Sequence, residues 1–219
     1  MTHTHSKVSL CGKHLEGPLH ICAFFDSRDQ QYEILLPYLK EGVEEGNYLI
    51  TITDPANKAD HLARLREYGI DTHALGEKGH SLEATADDTY LQTGQFVAED
   101  MFHIIEDAVE GATRNGFNGM RGFGEMHWAQ KGLPGTEDLI AYESRVNYFN
   151  PKLLTVCVYD VNQIKARVMA DILCTHPKVI MDGRLHENPY YIHPDEFLQS
   201  RLHKVQLARD QMSAAGRPD

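Results

Sequence analysis

The run from His20 to Phe25 constrains the fold of this chain more than any other segment, because five of its six residues are apolar. A run without polar alternation indicates a strand buried on both faces, as in a parallel sheet. Asp26 and Ser27 follow it, and a helical pattern comes next. In open α/β sheets, ligands bind just beyond the carboxyl ends of such strands. We therefore expect a binding site near this turn.

The turn itself lacks the residues of a phosphate-binding loop. Such a loop uses glycines, so that consecutive backbone amides converge on phosphate at a helix N-terminus. Residues 26–29 are Asp-Ser-Arg-Asp, and neither G-x-x-x-x-G-K-[ST] nor G-x-G-x-x-G occurs in the sequence. His-Glu-x-x-His, Cys-x-x-Cys and Gly-x-Ser-x-Gly are absent as well. Binding of a nucleoside triphosphate in the usual manner is not expected.

Segments with strand and helix patterns alternate along the chain. Besides the first run, strands are predicted at 48–53, 81–86, 120–126 and 153–159, with an edge strand over 179–185. Apolar residues at helical spacing predict helices at 32–43, 62–68, 96–114, 136–149, 164–172 and 194–208. This alternation predicts one α/β domain of three layers, with a mostly parallel sheet and helices on both faces. We expect residues 1–17 to be a flexible arm, 18–210 the domain and 211–219 a disordered tail.

Charge and hydropathy exclude several classes of partner. Lysine and arginine number 21 against 32 acidic residues, a net charge of −11. Such a surface repels phosphate backbones, so no direct nucleic-acid partner is expected. No apolar run reaches the roughly 18 residues of a membrane span, and the N-terminus lacks a hydrophobic signal segment. We expect a cytoplasmic protein without membrane contact.

Polar side chains follow the predicted strand ends, which meet at one edge of a doubly wound sheet. The candidate ligand-binding residues are Asp26, Ser27, Arg28, Asp54, Glu125, His127, Trp128, Tyr159 and Asp160. The alternative is that Asp26, Asp54 and Asp160 only cap helices or turns. Trp128 could offer its apolar face and N–H to a small ligand, or it could fill the core. Glu143, Arg145 and Asn147 lie one helical turn from apolar core positions, and the default interpretation is that they belong to a solvated helix face; a role in the pocket is the alternative.

Two short motifs leave a metal site open. His20 and Cys22 share one face of their strand, and Cys174 and His176 form a second pair. Together they could supply a two-cysteine, two-histidine site. The alternative is that these cysteines fill the core as reduced thiols and that the histidines cap element ends.

Several strings, taken together and in order, resemble the MEDS family, the methanogen/methylotroph DcmR sensory domain. They are HICAFFDS at 20–27, LLPYLKEG at 35–42, GEMHWA at 124–129, YESRVNY at 142–148, VYD at 158–160, LCTHP at 173–177 and HENPYYIHP at 186–194. The resemblance runs from about residue 18 to about residue 203. One departure is His127, where the family more often has an acidic or apolar residue.

The resemblance implies a RecA- or KaiC-like core without a working phosphate loop, which detects a small molecule such as a one-carbon or halogenated compound. It favours a sensor rather than an enzyme, and it leaves the cofactor open. Because no output domain is evident, we expect signalling through a partner protein or self-association. Two alternatives remain. One is a metal or haem sensor using His20, Cys22, His127 or His176; the other is a degenerate nucleotide-binding protein in which Glu125 polarises a water.

Overall fold

The computed structural model describes residues 8–16, 19–148 and 153–200. Within them the strands are β1 (Val8–Leu10), β2 (Lys13–Leu15), β3 (Leu19–Phe25), β4 (Tyr48–Thr53), β5 (Ser81–Thr85), β6 (Met120–Glu125), β7 (Leu153–Asp160), β8 (Lys178–Met181) and β9 (Arg184–Glu187). The helices are α1 (Arg28–Glu44), α2 (Lys58–Glu67), α3 (Thr72–Glu77), α4 (Ala98–Arg114), α5 (Leu139–Val146) and α6 (Ala166–Leu173). Residues 194–200 are also helical. The rest of the predicted last helix and the predicted tail lie outside the described residues.

Seven of these strands form the central sheet, in the order β5-β4-β6-β7-β3-β8-β9. Strands β3 to β8 pair in parallel, and β9 pairs antiparallel with β8. The carboxyl ends of β3, β4, β6 and β7 therefore lie at one edge. The predicted α/β class and mostly parallel sheet are confirmed.

Helices cover both faces of this sheet, as predicted. On one face, α1, α2 and the β1–β2 hairpin contribute Leu35, Leu65 and Val8 to a shared apolar core. On the other face, α4, α5 and α6 contribute residues that include Phe102 and Tyr142 to a second core. We call these the α1 face and the α5 face.

Strand β7 shows why central strands lack polar alternation. Leu154, Val156 and Val158 belong to the core of the α1 face, while Cys157 and Tyr159 belong to that of the α5 face. Because helices cover both sides, both sets are buried. The apolar run in the sequence, which predicted this strand, is a direct consequence of burial on both faces.

The glycines of β6 are required by close approach of its neighbours. A Cβ on Gly122 would lie 1.6 Å from the carbonyl oxygen of Ile50 on β4, and one on Gly124 would lie 2.7 Å from the hydroxyl of Tyr90. Any side chain at Gly122 would separate β6 from β4, so this strand can hold its place only with glycine there.

The structure differs from the sequence prediction at three places. Residues 8–15, placed in a flexible arm, form an antiparallel hairpin whose apolar side chains pack against α1. The predicted edge strand at 179–185 is two strands, because Asp182 and Gly183 both have positive φ and turn the chain back. Helix α3 was not predicted; it is a six-residue helix without a buried residue, so it carries no apolar periodicity.

Val156→Asp is expected to abolish soluble folding. Val156 is fully buried at the centre of β7, and an unpaired buried carboxylate costs several kcal/mol, about half of a typical domain's stability. Thermal unfolding of the purified variant is the measurement. Leu82→Asp, on the edge strand β5 at a side chain 43% exposed, is the control and should unfold as the wild type does. A normal transition in Val156→Asp would contradict this account of the sheet.

Candidate functional site

A cleft of about 500 Å³ lies at the carboxyl edge of the sheet. Its walls include six of the nine predicted ligand-binding residues: Ser27, Arg28, Asp54, His127, Tyr159 and Asp160. They follow β3, β4 and β6 or end β7, so the parallel strands bring together residues that are far apart in sequence. Gln31, Asn57, Gln130, Lys131, Gln163 and Lys165 add further polar groups to the wall.

Glu125, the seventh predicted residue, lies buried beneath the cleft rather than in its wall. Its Oε1 accepts hydrogen bonds from Arg28 at 2.9 Å and from Gln31 at 3.3 Å. Its Oε2 accepts from the backbone N–H of Asp54 and from the side chain of Asn57, both at 2.9 Å. Burial raises the pKa of this carboxyl, but these donors outweigh burial and hold the pKa below its ordinary value. Glu125 is therefore an anion that ties α1 to the segment after β4.

The charges of the cleft wall are largely balanced within the protein. Arg28 pairs with Glu125 and with Asp60 at 2.8 Å, and Lys131 pairs with Asp54 at 2.8 Å. Asp160 accepts hydrogen bonds from Gln163 at 2.6 Å and from the backbone of Asn162 at 2.8 Å. The wall can thus offer both donors and acceptors, without a strong excess of either sign.

The capping roles considered in the sequence analysis also occur in this region. Ser27 caps α1 by accepting from the N–H of Gln30, and Asp54 accepts from the N–H of Ala56 at the start of a short 3-10 turn. Asp26 is exposed, accepts a hydrogen bond from the Ser27 hydroxyl at 3.0 Å, and does not line the cleft. Binding and capping are therefore compatible at Ser27 and Asp54.

Trp128 follows β6 at the carboxyl edge, but its indole packs into the core. Its ring centroid lies 4.8 Å from that of Tyr90 and 5.1 Å from that of Phe96, and only 1% of the residue is exposed. The indole is not part of the cleft wall. This arrangement corresponds to the core-filling alternative of the sequence analysis.

A second cluster of reactive side chains lies on the α5 face of the sheet. His20, Glu143, Cys157 and His176 are all buried, and their potential ligand atoms lie within 4.8 Å of one another. Three of them surround the Oε2 atom of Glu143. His20 Nε2 is 3.1 Å from it, His176 Nε2 is 3.4 Å and Cys157 Sγ is 3.6 Å.

Two strands, one helix and one connecting segment supply this cluster. His20 on β3 and Cys157 on the neighbouring β7 point to the same face of the sheet. Glu143 on α5 follows Tyr142 and precedes Val146 by three residues, so it lies on the apolar side of that helix. His176 lies between α6 and β8.

The structure brings together only two of the four residues that the sequence analysis considered as metal ligands. His20 and His176 meet, but Cys22 and Cys174 are not members of the cluster. Cys22 Sγ donates instead to the Lys178 carbonyl at 3.8 Å, and Cys174 ends α6. The interpretation of Glu143 as a solvated residue is wrong, because it is fully buried. Its position one residue after Tyr142 and three before Val146 was the available signal.

Burial and charge set the protonation of this cluster. Burial, together with the charge of the adjacent His176, lowers the pKa of His20 to about 4. Burial opposes ionisation of Glu143, but the His176 and His20 imidazoles outweigh it and bring its pKa to about 2. Burial and the charge of Glu143 raise the pKa of the Cys157 thiol. The arrangement presents an anionic carboxylate beside a neutral imidazole and a thiol.

None of the helices in the described part of the chain is long and apolar enough to cross a membrane.

Comparison with known proteins gives two matches. Residues 19–177 match the family described as MEDS, the MEthanogen/methylotroph, DcmR Sensory domain. The transcriptional repressor DcmR of Methylorubrum extorquens is 24% identical over 176 residues, which cover 78% of this chain. The match spans 63% of the repressor's length.

Glu125→Gln is expected to destabilise the protein by about 2–4 kcal/mol at neutral pH, because it leaves Arg28 without its buried anionic partner. Because folding lowers the pKa of Glu125, its contribution is fully present above the ordinary value of 4.5 and is lost as pH falls through the lower folded value. The difference between variant and wild type should therefore shrink in acid. Urea unfolding between pH 3 and pH 7 measures it.

Asp60→Asn is the matched control for this experiment. Asp60 also pairs with Arg28, but its side chain is 46% exposed, so its loss should cost less than about 1 kcal/mol. Equal effects of the two substitutions, or a difference for Glu125→Gln that grows in acid, would contradict the role assigned to the buried carboxylate.

Proposed function

Because the chain belongs to the MEDS family of sensory domains, we propose that it is a sensory protein that binds a small polar molecule in the carboxyl-edge cleft. The similarity to a transcriptional repressor supports a regulatory role. We propose further that the signal passes to a partner protein or to a second copy of the chain.

The observation that carries this proposal is the convergence of predicted residues in one cleft. Six side chains selected from strand ends line the same space of about 500 Å³. Small-molecule pockets typically measure about 300–1,000 Å³ and combine apolar surface with a few placed polar groups. Phe25 and Val158 supply the apolar part of this wall, and His127 and Asp160 supply polar groups.

The charge pattern favours a ligand with both donors and acceptors over a polyphosphate. Asp54 and Asp160 lie in the wall, and Glu125 lies beneath it. Arg28 and Lys131, two of the cations that would be available to phosphate, are already paired with carboxylates. No glycine-rich turn presents backbone amides at the start of α1, where Ser27 instead caps the helix. A compact polar organic molecule fits these groups best.

Binding can produce a signal only if the ligand prefers one conformation of the protein over another. Arg28 at the start of α1 and Lys131 after β6 border the cleft from different elements. A ligand that replaces their present carboxylate partners would change how these elements are tied together. We propose that such a change alters the surface offered to the signalling partner.

A thermal-shift screen of polar metabolites and one-carbon compounds tests the cleft. A ligand at about 100 times its Kd should stabilise the native state by about 2.7 kcal/mol. His127→Ala, in the cleft wall, should remove the shift. His73→Ala, whose side chain is 84% exposed on α3, is the matched control and should keep it. A ligand that stabilises all three proteins equally would place the binding site elsewhere.

ATP with magnesium is expected to give no stabilisation in the same assay, because the turn at residues 26–29 presents carboxylates instead of a phosphate cradle. A saturable shift with ATP that Asp26→Ala removes would favour a nucleotide-binding protein over the proposed sensor. Asp29→Ala, at the neighbouring exposed carboxylate, is the matched control for that substitution.

A further inference from the structure

The geometry points to a transition-metal site that is separate from the cleft. We infer that His20, Glu143, Cys157 and His176 bind one divalent ion of the Zn²⁺ or Fe²⁺ class, with two imidazole nitrogens, one carboxylate oxygen and one thiolate as ligands. The four side chains are buried, and their ligand atoms lie within 4.8 Å of one another. This inference does not depend on the function proposed for the cleft.

Four of the six distances between the ligand atoms fit a tetrahedral ion. Bonds of about 2.0 Å to nitrogen or oxygen and about 2.3 Å to sulfur place N and O about 3.3 Å apart, and S about 3.5 Å from either. The two N–O distances from the histidines to Glu143 are 3.1 and 3.4 Å. Cys157 Sγ lies 3.5 Å from His20 Nε2 and 3.6 Å from Glu143 Oε2. The other two pairs, His176 with His20 and His176 with Cys157, lie within 4.8 Å, and they would have to approach by up to about 1.5 Å to reach tetrahedral spacing.

The neighbours of two ligands hold them in the orientation that a metal needs. His176 Nδ1 lies 2.9 Å from the carbonyl of Ile172, which can only accept, so Nδ1 carries a proton and Nε2 is the nitrogen that can bind an ion. The hydroxyl of Tyr159 donates to Glu143 Oε1 at 3.4 Å, whereas both histidines approach Oε2. Metal-binding imidazoles and carboxylates in proteins are commonly oriented by such partners.

A hydrogen-bonded cluster without an ion explains these positions less well. His20 can donate to Glu143 Oε2, but His176 Nε2 faces the same oxygen and makes no hydrogen bond with the described residues. The 3.4 Å contact therefore places a second imidazole against the carboxylate without the geometry of a hydrogen bond. A cation between these atoms gives each of them a partner.

The ligand types select the ion. Calcium and magnesium prefer oxygen ligands alone, whereas a set of two imidazoles, a thiolate and a carboxylate suits Zn²⁺ or Fe²⁺. Cys157 would bind as the thiolate and release its proton to solvent. An adjoining apolar cavity of about 40 Å³, lined in part by His20, Glu143 and Cys157, has room for a molecule of a few heavy atoms beside the ion.

Cobalt(II) is the direct probe, because a thiolate ligand gives a charge-transfer band and tetrahedral geometry gives strong visible bands. The full chain, without a histidine tag, is unfolded with a chelator and refolded anaerobically with or without Co²⁺. We expect one equivalent per chain, a thiolate band, a higher melting temperature, and displacement of Co²⁺ by Zn²⁺. Refolding that succeeds only with metal would also support the site.

Cys157→Ser should lose the thiolate band and bind Co²⁺ at least about tenfold more weakly. Cys22→Ser, which changes a buried cysteine on the adjacent strand outside the cluster, is the matched control and should keep both. If the Cys157 variant fails to fold, X-ray absorption of the zinc-loaded wild type decides; it should show one sulfur and three nitrogen or oxygen neighbours. Saturable binding without a thiolate band, a sulfur-free zinc environment, or no binding by folded protein would overturn the inference.

Discussion

Burial of the central sheet on both faces is the constraint on which the rest of the structure depends. Strands β6 and β7 have no solvent face, so an ionisable side chain on or against them must find its partners inside the protein. Arg121 is fully buried and pairs with Glu41 at 2.7 Å. Glu125 is surrounded by donors from α1 and from the segment after β4. Glu143 lies among histidines. Removing one member of such a group leaves the other uncompensated, which is far more costly than losing a surface pair.

The same constraint places two chemically different groups of side chains on one sheet. The cleft forms where the strands end and polar side chains become accessible to solvent. Positive and negative charges in its walls are largely balanced. His20, Glu143, Cys157 and His176, which we call the His20 cluster, meet where α5 covers the sheet. Tyr159 belongs to both regions, since it lines the cleft and its hydroxyl lies 3.4 Å from Glu143 Oε1. A displacement of Tyr159 near the end of β7 would therefore change its contact with the buried carboxylate of Glu143.

Sequence patterns predicted the sheet and much of the cleft, because both follow from the location of apolar runs and of their ends. Residues such as Asp54 and Asp160 could be assigned to one edge once the strands were taken as parallel. The His20 cluster was accessible only in part. Short motifs indicated His20 and His176 as possible metal ligands. Glu143 and Cys157 lie beside them because α5 packs on β7, and the spacing of residues along the chain does not predict that packing. The β1–β2 hairpin was missed for a similar reason. The apolar segments around Val8 and Leu10 are too short to predict strands, and the burial of these two residues depends on packing against α1.

Burial of the His20 cluster has a consequence for the rate at which an occupant exchanges with solution. His20 and Cys157 are only 5% and 7% exposed, and Glu143 and His176 are fully buried. Exchange therefore depends mainly on separation of α5 or β7 from its neighbours, and such local openings are rare in a packed core. An occupant of the cluster would then leave no faster than these openings occur. The cleft, with Ser27 and Lys165 exposed at its border, can exchange its contents as fast as they diffuse. The ligand proposed for the cleft and an occupant of the cluster would therefore exchange with solution on very different timescales.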